Sequence, residues 1–131
     1  MIISYFLTLI AFLVIDLVWL GLVAKKFYWS KIGNLLTTDY VWSAIIAFYL
    51  IYIAGIFYFV VYPSIANNSA LSDVFIRGAF LGILCYATYD LVNMGTLKQW
   101  SWSIVVVDIL WGAALTGTVS CIGYVLMQKF G

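Results

Sequence analysis

Residues 2–24 read IISYFLTLIAFLVIDLVWLGLVA, twenty-three residues with one charged side chain, Asp16. A bilayer core of ~30 Å takes about 20 apolar residues of helix. The stretch meets that length, and it carries a carboxylate that a membrane helix does not hold without a reason. Three further stretches share its character: about 41–62, stopping at Pro63, the only proline; about 74–92; and about 104–127. Together they use most of the chain, leaving no room for a soluble domain. The expected architecture is all-α: a polytopic membrane protein whose four transmembrane helices form one domain, residues 1–131. Alternation of period two is absent, and backbone groups in lipid must pair internally, so helices are preferred to a barrel. No Lys or Arg precedes the first stretch and no small-x-small site ends it, so it reads as a span and not a cleaved signal.

Composition agrees. Hydrophobic residues make up 66% of the chain and charged ones 8%, against about 25% charged in soluble domains. That excludes an ordinary soluble fold and a disordered chain. Six basic residues cannot build a phosphate-binding surface, so no nucleic-acid partner is expected. The chain has no His, which removes His-held haem, His-ligated zinc and any imidazole base. No Glu occurs either, so each side-chain carboxylate is an Asp. No GxGxxG is present, and Asp alone is a thin ligand set in lipid; neither a cofactor nor a metal is expected. Cys85 and Cys121 fall at different depths and are read as packing residues rather than a disulfide.

Lys25, Lys26, Lys31 and Lys98 lie on one side of the spans, Arg77 and Lys129 on the other. This bias favours loops one and three in the cytoplasm and both termini outside. The first loop, KKFYWSKIGNLLTTDY (25–40), mixes Lys with aromatic rings and reads as an anchor in the headgroup layer. Thr38 or Asp39 is expected to cap the second span, and Ser72 with Asp73 the third. DLVWLG from Asp16 is echoed by DLVNMG from Asp90, which suggests two repeated helical hairpins.

The acids carry the chemistry. Measured from the span ends above, Asp90, Asp108 and Asp16 lie ~5, ~7 and ~13 Å deep, all in the cytoplasmic half. Each lacks a Lys or Arg at similar depth, so they are expected to face one another, water or polar neighbours. Like charges held close cannot all ionise, and at least one neutral acid is expected. That arrangement builds a general acid or a proton shuttle, so Asp16, Asp90 and Asp108 are the candidate catalytic residues. Tyr86, Asp90 and Asn93 share a helix face, as do Asp16 with Trp19 and Asp108 with Trp111. Tyr86, Asn93, Trp19, Trp111 and, in the loop below, Trp100 are the candidate substrate-binding residues. The plainer alternatives are Asp side chains that only bond a neighbouring helix, and Trp residues of the interfacial belt. Gly78 with Gly82, and Gly112 with Thr116 and Ser120, are read as close-packing stripes, with a homodimer as one use. The ring-rich second span is expected to face lipid or to form a wall.

The runs YATYDLVNMGTLKQW (86–100) and VVDILWG (106–112), with DLVWLG near the start, resemble the bacterial inner-membrane family filed under domain of unknown function 2177. The resemblance covers essentially the whole chain. It implies a four-span inner-membrane protein and marks Asp16, Asp90, Asn93, Lys98, Trp100, Asp108 and Trp111 as family-pattern positions. It brings no activity. Its members look often encoded near lipid-modifying methyltransferases and flavin amine-oxidase-like proteins, which implies a lipid context. Three functions follow as expectations. The first is an intramembrane aspartate site that binds or modifies an apolar, lipid-like substrate by acid–base chemistry. The second is a small proton-coupled carrier of amphipathic or cationic compounds. The third is a non-catalytic membrane partner subunit. Membrane lipids and an apolar or amphipathic small molecule are the expected partners.

Overall fold

A computed structural model describes residues 1–23, 25–33 and 40–131. Among them there are helices and no strand. Helix α1 begins at Ile2 as Ile2–Val18 and continues as a π turn, Trp19–Val23. A short helix, α2 (Lys25–Ile32), follows. Three long helices complete the chain: α3 (Trp42–Ala66), α4 (Leu71–Thr96) and α5 (Trp102–Phe130). Helices α1, α3, α4 and α5 are each long and apolar enough to cross a membrane.

The packing is inverted relative to a soluble protein. Large apolar side chains face outward, with Leu22 83%, Ile51 72% and Ile2 70% exposed. Ser4, Thr8, Asp90, Thr116 and Ser120 are wholly buried. Water would reject that surface; hydrocarbon accepts it and forces polar side chains inward.

Two boundaries differ from expectation. The second span runs through Pro63 to Ala66 rather than stopping there. Phe57–Val61 just before it is a π turn, with the Tyr62 N–H bonded five residues back to Phe57 O. Such a local adjustment lets a membrane helix absorb a proline that lacks its own donor. Helix α4 starts at Leu71, its N-cap is Ala70, and no side chain caps it. Ser72 and Asp73 therefore lie inside its first turn. The expected caps Thr38 and Asp39 fall outside the described residues.

These longer helices change the depths of the acids. Asp90 and Asp108 each stand six residues from the loop-side end of their spans, at Thr96 and Trp102. That is ~9 Å at 1.5 Å per residue, rather than the shorter and unequal depths expected. The hairpins themselves differ. Helices α4 and α5 share the most extensive contact in the molecule, while α3 meets α4 mainly through its Phe57–Val61 segment.

Small residues explain the tight pair. A Cβ on Gly78 would stand 2.9 Å from Thr116 O, and one on Gly82 would stand 2.8 Å from Thr116 Oγ1. Both small-residue stripes are therefore consumed between α4 and α5 within one chain. Phe12, Ile53, Ile56, Phe57, Val61, Leu115 and Val119 form the core where α1, α3 and α5 meet. The π segment of α3 is wedged there while the first half of α3 leans away from α4, leaving a gap on the loop side.

Candidate functional site

Asp16 sits one turn before the π turn of α1 and is 9% exposed. It accepts hydrogen bonds from Tyr49 Oη (3.0 Å) on α3 and Trp111 Nε1 (3.3 Å) on α5. Trp19, the first residue of the π turn, stacks on Trp111 with ring centroids 4.4 Å apart and an interplanar angle of 8°. A π turn re-aims the side chains that follow it, and here it brings an indole onto α5.

Asp108 is half-buried and accepts a hydrogen bond from Tyr28 Oη at 2.9 Å. Tyr28 comes from α2, outside the spans. Burial, and the Asp108 carboxylate beside it, hold its hydroxyl well above the ordinary tyrosine range, so it stays a donor. Asp90 is wholly buried, and neither carboxyl oxygen has a hydrogen-bond partner. Its polar neighbours are Asp108 and the Trp100 indole. Asp16 also feels the charge of Asp108. Asp108 is thus the acid that neighbours both of the others. No Lys or Arg acts on Asp16 or Asp90.

Beside this group lies a cavity of about 640 Å³. It fills the gap where α3 leans away from α4. Phe48 and Tyr52 come from α3, and Leu84, Cys85, Tyr86, Thr88 and Tyr89 from α4. Among the described residues, Asp108 is the one charged side chain in that wall. Phe48, Leu84 and Tyr89 are also exposed on the outer surface, so the mouth opens sideways, toward lipid. Tyr52 Oη and Thr116 Oγ1 bond at 2.7 Å above it. Tyr86 lies flat on α5 because Gly112 has no side chain for its ring to meet.

The family described as Predicted membrane protein (DUF2177) matches residues 1–125. The chain is a member of the DUF2177 family. No curated protein and no solved structure matches it.

In this DUF2177 protein the acids and indoles expected from sequence occupy one neighbourhood, but not one wall. Asp108 and Tyr86 line the cavity. Asp16, Asp90, Trp19 and Trp111 stand behind it. Trp100 packs edge-on against Tyr89 at 5.8 Å between centroids. Asn93 is half-buried below, beside the Tyr89 side chain and outside the cavity wall. Cys85 and Cys121 are both free thiols, and Cys85 lines the cavity.

Sequence reasoning missed Tyr28, Tyr49 and Tyr52. A signal existed for two of them: Tyr49 and Tyr52 are three residues apart, share a face, and carry hydroxyls that need partners inside a span. Nothing comparable marked Tyr28, since a ring between lysines also suits an anchor at the headgroups.

Proposed function

We propose that this protein is a membrane-embedded binding site for an amphipathic, lipid-like molecule, on which the aspartate group can perform acid–base chemistry. One observation carries the reading: an apolar cavity, open sideways through exposed rings, whose wall contains the Asp108 carboxylate. Its volume lies in the range of small-molecule sites. An apolar wall with one placed charged group is the usual make-up of such a site. Of the three acids, Asp108 is the one in the cavity wall. Asp16 and Asp90 act through it, by setting the local charge and by taking or giving a proton within the group. Tyr28 orients the Asp108 carboxylate from outside the span.

The packing favours binding over transport. All the lining residues belong to the loop-side part of the molecule. Toward the other end, Val60, Val61, Val119 and Tyr124 fill the space between helices. The Lys and Arg bias puts the cavity in the cytoplasmic half of a bacterial inner membrane.

Untargeted lipid profiling of a deletion strain tests the function. The profile should change on deletion, return with the wild-type gene, and fail to return with Asp108→Asn. Restoration by Asp108→Asn to the wild-type profile would rule out acid–base work at this residue. A carrier would instead show proton-linked uptake that Asp16→Asn abolishes.

A further inference from the structure

We propose that the occupant of the cavity is a single-chain amphiphile with a cationic head, an amine or quaternary ammonium, seated on Asp108. The inference rests on the binding reading above and names its ligand class. The first support is charge. Asp108 neighbours both Asp90 and Asp16, and no Lys or Arg acts on either of them. Lys25, Lys26 and Lys31 belong to the first loop, yet the group that reaches Asp108 from there is the neutral hydroxyl of Tyr28. A head on Asp108 therefore meets that carboxylate, with no Lys or Arg beside the neighbouring acids to balance it. A carboxylate or phosphate head would be repelled. A neutral head would gain one hydrogen bond at most. A cation gains the Asp108 carboxylate directly.

The second support is the order of groups along the cavity. Asp108, Phe48 and Tyr89 stand six or seven residues from the loop-side ends of their helices, while Cys85 and Leu84 stand eleven or twelve. The charge thus lies toward the loop-side end of the cavity, with the Tyr52 and Tyr86 rings, the Cys85 thiol and Leu84 deeper. That gradient matches a head near the interface and a tail toward mid-membrane. Aromatic faces beside a carboxylate suit an ammonium head through cation–π attraction.

Cys85 supplies a readout specific to the cavity. The purified full-length chain carrying Cys121→Ala, in nanodiscs of neutral lipid, is labelled with N-ethylmaleimide and the modified fraction is read by mass spectrometry. Dodecyltrimethylammonium, dodecanol and dodecanoate are added in turn. The cation should half-protect Cys85 at a concentration at least about tenfold below that of the alcohol, a difference of ~1.4 kcal/mol. The carboxylate should be weakest. Asp108→Asn should bring cation and alcohol within about twofold, and Asp108→Glu should restore the preference. Equal protection by all three ligands overturns the charge selection and leaves the binding site standing. A Cys85 that stays unlabelled without ligand, or that none of the three protects, removes the binding site and this inference with it.

Discussion

A single hydroxyl links the short helix α2 to the aspartate group of the bundle. Tyr28 donates to Asp108 at 2.9 Å, and a hydrogen bond to a charged group contributes about 1.5–3 kcal/mol. Its ring is only half-buried, so solvent screening brings the expected loss for Tyr28→Phe to about 1 kcal/mol. Thermal unfolding in detergent should show that loss as a lower midpoint. The sign of its pH dependence follows from the raised hydroxyl. A free tyrosine loses its proton near pH 10, roughly. Below that value folded and unfolded chains both keep the proton, and the contribution is complete. Above it the unfolded chain releases a proton that the folded one retains, so stability declines as pH rises. Unfolding midpoints of wild type and Tyr28→Phe should therefore differ at pH ~8 and converge above ~10. Midpoints that differ equally at both would deny that this hydroxyl is held by Asp108.

At the scale of helices, glycines divide into two kinds. Added carbon at Gly82 would run into the backbone of Gly112 and the Thr116 hydroxyl, neither of which can turn away. Gly55 has nothing within 4 Å of such a carbon. Gly82→Ala should force α4 and α5 apart and cost about 1–3 kcal/mol or more. Gly55→Ala should be neutral or stabilising by up to about 1 kcal/mol, because Gly is a poor helix former. Unfolding of the two variants side by side checks the contrast; similar behaviour would mean that α4 and α5 do not approach as described. The same contact seats the Tyr86 ring against Gly112, so Gly82→Ala should also disturb the cavity wall. The π turns belong to this scale as well. One carries Trp19 onto Trp111, and the other lets α3 continue through Pro63 while its first half diverges from α4.

For the whole molecule, the basic residues make a prediction about sidedness. Four of six Lys and Arg residues lie in loops one and three, which predicts both ends of the chain outside the cytoplasm. A C-terminal alkaline phosphatase fusion should be active and a C-terminal green fluorescent protein fusion dark. The opposite pattern would invert the orientation and place the cavity in the outer half of the membrane.

The four candidate spans and the helical class were legible in the sequence. Apolar length and the cost of burying charge are local properties of a stretch, and Ile2–Leu22 with Asp16 inside it already contains both. The matching depth of Asp90 and Asp108 was not legible. It depends on where α4 and α5 end, and helix caps there extend past the apolar runs that mark a span. Nor could the sequence show that Asp108 is central, that Tyr28 turns inward, or that α3 leans away to open a cavity. Those follow from helices meeting across the bundle: Gly78 and Gly82 lock α4 to α5, a π turn holds one end of α3 in the core, and the space left over at its other end is decided by packing between residues far apart in the chain.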